Sequence, residues 1–430
     1  MRIIHRLKAS ALSRNVFAVA SGTAAGQAVA FAFSPLITRI YSPEVFGLQG
    51  VFLALVSILT PVIALRYPMA IIVADDDTDA RRLRQLSMGI SFLLSCLLGV
   101  ILLVAQEPFL VLVGAEALGP LIWFLPLAML CVTAQDVANG YAARQGQFRQ
   151  IGIVTVVQAF LTNLARVLGG LAAPVAGVLV TVTSLAPAVQ AALLKIGGGR
   201  KQGPAPSLRR PEALALLRKH RDFPLYRVPT DVLNSASQSM PVIMLATLFS
   251  PAAAGLYVLT RSVLNLPSSL IGVAIGNVLY AHYAGLDRAG KRLMPSFLRW
   301  TAGLLTLAPF IVGLAWFAPV IFAFVFGEEW REAGLYAQWM SLWIGISIAN
   351  VPAVRMAPVI KSQMLLLVAN VFLLGARALA ILATFWSGGD ATGAVAAFSL
   401  VSLVGNAGLI VVLMMATRRY DAAKGTDAPA

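Results

Sequence analysis

The chain has 430 residues, 59% of them hydrophobic and 12% charged, with a mean hydropathy of +0.81. Soluble domains carry about 45–50% apolar and about 25% charged residues, so a water-soluble enzyme is excluded and no stretch remains for a sizeable soluble domain. The 33 Lys and Arg against 18 Asp and Glu leave a net charge of +15, which suggests nucleic acid in a soluble protein but, in a chain this apolar, calls first for a test of loop asymmetry.

Segment Met1–Arg14 places Ile3, Ile4, Leu7 and Ala11 on one helical face and is expected to lie along the inner membrane surface. The apolar run from Asn15 to Thr38 is too long for a signal-peptide core of about 7–15 residues, and reads as an uncleaved first span. A bilayer-crossing helix takes about 20 mainly apolar residues. On that measure spans are expected near 15–38, 46–70, 86–105, 117–140, 150–171 and 174–194. A second set follows near 223–248, 253–281, 295–320, 333–357, 361–386 and 391–416. Between them runs the polar connection 195–222, with Gly197–Gly199, Pro204 and Pro206 as a flexible linker and Pro211-Glu212 opening a short basic helix. The expected organisation is thus a basic interfacial segment (1–14), a six-helix lobe (15–194), a cytoplasmic linker (195–222), a second six-helix lobe (223–416) and a cytoplasmic tail (417–430).

Taken loop by loop, 24 of the cations collect on one side of this layout, Arg39 and Arg331 lie on the other, and seven lie in or at the ends of spans. By the positive-inside rule both termini and the central linker are cytoplasmic, and nucleic acid is not needed to explain the charge. Cys96 and Cys131 fall in apolar spans as packing residues, and His5, His220 and His282 are scattered, so neither a metal nor another cofactor is expected.

The two halves are related. Arg39–Ile58 aligns without gaps on Thr247–Leu266, with Ser42-Pro43 on Ser250-Pro251, Gly47 on Gly255 and Leu48 on Leu256. Gly114-Ala-Glu116 is echoed by Gly327-Glu-Glu329. Six spans per unit make parallel repeats about an axis along the bilayer normal, with substrate between the lobes. The basic N-terminus, "RIYSPEVFGLQG" after span 1, "FGEEWREAG" (Phe326–Gly334) after span 9 and the six-plus-six layout resemble the bacterial polysaccharide/O-antigen flippase family of the multidrug/oligosaccharidyl-lipid/polysaccharide exporter superfamily. The resemblance covers nearly the whole chain, but its motifs mark turns rather than chemistry. It implies an all-α inner-membrane protein of twelve transmembrane helices in two lobes around a central cavity, and not an enzyme. It also implies transfer of undecaprenyl-pyrophosphate-linked oligosaccharides to the outer leaflet for lipopolysaccharide O-antigen or exopolysaccharide synthesis.

Cations at the bilayer centre cost at least about 2.5–3.5 kcal/mol unless they face water or a partner. Arg227, Arg299 and Arg355 sit near cytoplasmic span ends, where snorkelling suffices. Arg166 is of intermediate depth; Arg66, Arg261 and Arg377 are deeper, and nothing on their own helices neutralises them. They belong to polar stripes at helical spacing: Thr155, Gln158, Thr162 and Arg166; Arg261, Asn265 and Ser269, with Gly272 and Gly276; Gln363, Asn370 and Arg377. Helix packing explains many such Asn, Gln, Ser and Thr residues. For a pyrophosphate cargo, however, guanidinium groups supply bidentate hydrogen bonds, while Asn265, Gln158 and Asn370 supply partners for sugar hydroxyls. Arg66, Arg166, Arg261, Arg377, Gln158, Asn265 and Asn370 are therefore the candidate substrate residues.

Asp231, beside Arg227, Asn234 and Gln238, and Asp136, beside Gln135 and Asn139, are the candidates for coupling to Na+ or H+. The competing readings are an i,i+4 pair with Arg227 for Asp231 and plain solvation for Asp136. The run Asp75-Asp76-Asp77 with Asp79 precedes Arg81, Arg82 and Arg84 and reads as a self-neutralising loop, not a transferase metal site. The alternatives are a cation-coupled multidrug exporter, disfavoured by arginines where acidic residues are wanted, and a glycan polymerase, which needs a large outer loop. Expected partners are the lipid-linked oligosaccharide, the bilayer and a polysaccharide polymerase or glycosyltransferases.

Overall fold

Apolar residues repeat along nearly the whole chain without the turn-rich spacing of strands, and the computed structural model, which describes residues 2–197, 208 and 210–426, is helical almost throughout. The linker residues Gly198, Gly199, Pro204 and Pro206, and the side chains of Met1–Arg14, Ser269 and Gly272, lie outside the described residues. Contacts divide the chain into two compact units, Met1–Gly255 and Leu256–Ala430.

The first unit contains α1 (Arg2–Ile40), α2 (Pro43–Ile63), α3 (Tyr67–Val73), α4 (Asp77–Val113), α5 (Phe124–Arg144), α6 (Phe148–Ala172), α7 (Ala176–Gly197), α8 (Arg210–Lys219) and α9 (Val228–Leu248). It ends in the first turn of α10 (Pro251–Arg288). Residues 2–14 are the first part of α1, which continues without a break into the expected first span. Small residues let the long helices approach closely: α1 crosses α6 where Gly22 faces Gly152 and Gly26 faces Thr155, leaving no room for a Cβ at Gly22.

The Ser-Pro starts cap their helices as their sequence requires. Ser42 Oγ accepts the Val45 N–H at 3.5 Å, and Ser250 Oγ accepts the Ala253 N–H at 3.1 Å. The paired glycines do something the turn reading did not foresee. Within the first unit Gly47 lies against the Pro251 carbonyl and Gly255 against the Pro43 carbonyl, so a methyl group on either would collide with the other's backbone.

The second unit holds the rest of α10, then α11 (Met294–Leu305), α12 (Leu307–Trp316), α13 (Ala318–Phe326), α14 (Arg331–Ala349), α15 (Val351–Met356), α16 (Gln363–Trp386) and α17 (Ala391–Thr426). Its core gathers Tyr283, Phe297, Ile348, Met356, Ile360 and Leu413. α14 is the central helix, packed on α11, α12, α13 and α17, whereas α16 rests chiefly on α17 and is otherwise exposed.

Each expected span is largely helical, but several are interrupted. The expected span 46–70 breaks at Ala64–Arg66, between Pro61 and Pro68. Span 295–320 divides at Thr306 and Phe317, and span 333–357 at Asn350, one residue before a helix with Pro at its start. Proline removes an interior N–H and clashes with the preceding turn, so a continuous apolar pattern need not be one helix. Among the described residues eight helices are long and apolar enough to cross a membrane. The chain is thus an all-helical, multi-pass membrane protein.

Candidate functional site

The break between α2 and α3 sets the first site. Leu65 (φ 49°) and Arg66 (φ 57°) both adopt the left-handed conformation, which costs an ordinary residue about 1 kcal/mol or more, and Arg66 stands at the N-cap of α3. This turn aims the Arg66 side chain at two carboxylates from other helices. Its Nε lies 2.8 Å from Asp231 Oδ2 on α9, and its NH1 lies 3.8 Å from Asp136 Oδ2 on α5. Asp231, 9% exposed, also receives Arg227 Nε at 3.1 Å. Two guanidinium groups and two carboxylates therefore form one cluster, with Asp231 at its centre.

A polar network continues beside it. Gln135 Nε2 donates to Gln190 Oε1 at 2.5 Å, and Gln190 Nε2 donates to Asn139 Oδ1 at 3.5 Å. The sequence gave Gln135 and Asn139 as neighbours of Asp136 but offered no signal for Gln190, which comes from α7.

Arg166 lies apart from this cluster. NH2 donates to Thr183 Oγ1 at 3.2 Å and NH1 reaches Asn163 Oδ1 at 3.5 Å, while Gln49 Nε2 donates to the same Thr183 oxygen at 2.7 Å. The Tyr41 hydroxyl donates to the Arg166 carbonyl at 2.9 Å. These are neutral partners from α2, α6 and α7, a setting in which the charge is solvated by dipoles rather than cancelled. Gln158 on the same stripe donates to Thr162 at 3.1 Å, one turn along its own helix.

In the second unit Arg377 lies in a nest of rings. Its Nε donates to Ser402 Oγ at 2.8 Å, and its Cζ lies 5.4 Å from the Phe398 ring centre and 5.9 Å from that of Trp343. Phe398 meets both Trp343 and Tyr257 edge-on, each at 6.2 Å. Arg261 is close enough to act electrostatically on Arg377, and both act on the buried Tyr257 hydroxyl. Cation–π contacts hold a guanidinium without removing its charge. Among the described residues Arg377 has no carboxylate partner. Of the stripe companions, Asn265 is half-buried and Asn370 is exposed.

The acidic run is consumed by ion pairs and a cap. Asp76 Oδ1 accepts the Asp79 N–H at 2.6 Å; Asp77 pairs with Arg144 at 3.1 Å; Lys219 on α8 meets Asp75 at 2.5 Å and Asp79 at 3.6 Å; Arg82 meets Glu212 at 3.0 Å. Leu216 of α8 is buried with Tyr67, Ile71 and Leu83, and the Tyr67 hydroxyl donates to the Leu217 carbonyl at 3.4 Å. Helix α8 is thereby fastened to α3, the helix that Arg66 starts. Among the described residues no group of three or more His, Cys, Asp or Glu is placed to hold a metal.

This fastening is pH-dependent. The Lys219 hydrogen bond holds the Asp75 carboxyl below its usual range and raises Lys219 in turn, while burial, followed by the Lys219 charge, pushes the His220 imidazole below its ordinary value. A group with a depressed folded pKa loses its contribution as pH falls, and a raised lysine loses its own only as pH rises past about 10. Attachment of α8 is therefore firmest between about pH 7 and 10, and weakens first below about pH 6.5 through His220 and then, below about pH 4, through Asp75. Hydrogen exchange at the amides of Leu214–Leu217, corrected for intrinsic rates, should show less protection at about pH 5 than at about pH 8. Equal protection at both would refute the linkage.

Break, buried charge cluster and ring-held arginine all lie in a multi-pass helical membrane protein, and its fold is shared with solved structures. Over 97% of this chain and 99% of the other, it matches an inward-facing multidrug resistance MATE family transporter of the MOP superfamily at 15% identity and a TM-score of 0.64. It matches the lipid II flippase MurJ, in an inward closed conformation, over 94% of this chain and 92% of that one, at 9% identity and a TM-score of 0.73. At these identities the likeness concerns the fold alone.

The polysaccharide biosynthesis protein family model matches residues 36–334, and the chain belongs to that family. Within that family it is a multi-pass membrane protein. The succinoglycan biosynthesis transport protein ExoT of Rhizobium meliloti is 23% identical over 308 residues, a match that takes in 70% of this chain and 60% of that protein's length.

Proposed function

We propose that the protein is an inner-membrane flippase that carries an undecaprenyl-pyrophosphate-linked oligosaccharide from the cytoplasmic to the periplasmic leaflet by alternating access. In this reading twelve helices form two six-helix lobes, both termini are cytoplasmic, and the cargo's anionic linkage enters a cleft between the lobes. The reciprocal seating of the two Ser-Pro starts, each glycine against the other's proline carbonyl, supports the internal repeat. The observation that carries the proposal is Arg377, held by Trp343, Phe398 and Ser402 and, among the described residues, without a carboxylate to cancel it. A cation kept within the spans without a carboxylate partner is best neutralised by an anionic cargo.

Arg66 has a second role here. It is already committed to Asp136 and Asp231, so a pyrophosphate that recruits it must release those carboxylates, which then become free to take up H+ or Na+. Substrate binding and ion coupling are alternatives at one guanidinium. The multidrug reading loses support for the same reason, since a cationic drug would find the carboxylates occupied by arginine. Arg166, Gln158, Asn265 and Asn370 remain proposed sugar or linkage contacts.

The function is tested by leaflet-resolved labelling of lipid-linked glycan in cells depleted of the protein. The expected result is accumulation on the cytoplasmic face, reversed by re-expression. Unchanged transfer to the periplasmic face in depleted cells would overturn it.

A further inference from the structure

The outer side of the α16–α17 pair carries a feature that the anion site does not use. A groove of about 970 Å³ runs between the two helices, from Met364 and Val412 at one end to Ala376 and Leu400 at the other. Its lining is wholly apolar: Phe372 and Val404, 77% and 69% exposed, form its walls, and Ala369, Gly405 and Gly408 keep its floor low. A Cβ at Gly405 would strike Leu373, so the helices touch there, whereas a Cβ at Gly408 would meet nothing within 4 Å. The groove covers thirteen residues of each helix, about 18 Å of rise, which is close to the depth of one leaflet.

Its position along the helices and its flanking charges indicate the occupant. The groove face of α17 continues at helical spacing through Gly408, Val412 and Met415 to Arg419, with Arg418 beside it. Both arginines are exposed, and among the described residues neither has an ion pair. Lys361, also exposed, precedes α16 at the same end. The opposite end stops at the level of Arg377, next to Ala376. One slot, cationic at its mouth and ending at mid-depth, matches an amphiphile with one long chain and a phosphate head better than a two-chained phospholipid.

We propose that this groove is a docking site for the hydrocarbon chain of a polyprenyl phosphate lipid of the cytoplasmic leaflet, with its phosphate at Arg418 and Arg419. It rests on the flippase reading for orientation. Small floor residues accommodate the methyl branches of such a chain, and arginines near the surface attract its head by about fivefold each.

The test is photo-cross-linking of the full-length protein in phosphatidylcholine nanodiscs, using a polyprenyl phosphate that carries a diazirine on its chain. Adducts are expected on peptides containing Phe372 and Val404. Gly408→Phe, which fills open space, should reduce them about tenfold, the loss of some two methylene contacts, with Gly408→Leu as the smaller filling if the first variant does not fold. Arg418→Gln with Arg419→Gln should raise the lipid concentration needed for half-labelling. Labelling that persists in the filled variant overturns the proposal. So does equal labelling by a diazirine phosphatidylglycerol that excess polyprenyl phosphate fails to displace, which marks an ordinary boundary-lipid site. Groove labelling in a protein that moves no glycan would sink the flippase reading and leave the groove standing; glycan transfer without groove labelling would do the reverse.

Discussion

Arg66→Ala is expected to abolish glycan transfer and to lower stability by about 3 kcal/mol, because removing one partner of a buried ion pair leaves the other charge uncompensated. Arg227 still reaches Asp231 at 3.1 Å, which keeps the cost at the lower end of the usual range. The two effects separate in a double variant. Arg66→Met with Asp231→Leu replaces the pair by apolar groups of similar length and should recover part of the melting temperature in nanodiscs, with the more exposed Asp136 and Arg227 left to solvent. It should not recover transfer, since neither the anion-binding group nor the coupling carboxylate returns. Wild-type transfer by Arg66→Ala at equal protein levels would remove Arg66 from the mechanism.

Arg377→Ala is expected to reduce transfer by about 10- to 150-fold, the equivalent of one charged hydrogen-bond contact to the linkage of about 1.5–3 kcal/mol. Stability should change little, by about 2 kcal/mol at most, because what is lost to the fold is contact with two rings and Ser402. Arg377→Lys is the informative companion. It keeps the charge but lacks the planar fork, so its transfer should fall between wild type and alanine. If lysine and alanine variants transfer equally well, Arg377 does not bind the anion through its geometry. A loss in Arg377→Ala matched by a loss of folded protein would likewise mark the residue as structural.

Much of this molecule was written locally in its sequence. Helix positions followed from apolar runs, the starts at Ser42 and Ser250 from their Ser-Pro pairs, α8 from Pro211-Glu212, and the Arg227–Asp231 pair from i,i+4 spacing. The acidic loop before α4 proved to be neutralised, although by Lys219 and Arg144 as well as by its neighbour Arg82. What stayed hidden is tertiary. Periodicity reports one helix face at a time, so it identified Arg66, Asp136 and Asp231 separately without showing that they meet. Nor could it show Trp343 beneath Arg377, or Thr183 and Gln49 around Arg166. The break at Leu65–Arg66 had a signal, the flanking Pro61 and Pro68, but the unbroken apolar pattern outweighed it.

The composition of the two charge groups carries one last consequence, in the electric field of the membrane. Arg66 and Arg227 against Asp136 and Asp231 sum to zero, so that cluster can shift in depth without doing work against the voltage. Arg377, which has no carboxylate partner among the described residues, does not cancel in this way, and each elementary charge carried across the bilayer is worth about 2.3 kcal/mol per 100 mV. With the cell interior negative, an empty site of that kind is drawn inward, while a loaded one, balanced by its cargo, is released from the pull. In the proposed flippase, the resting polarisation of the cell would then reset the empty site for its next load.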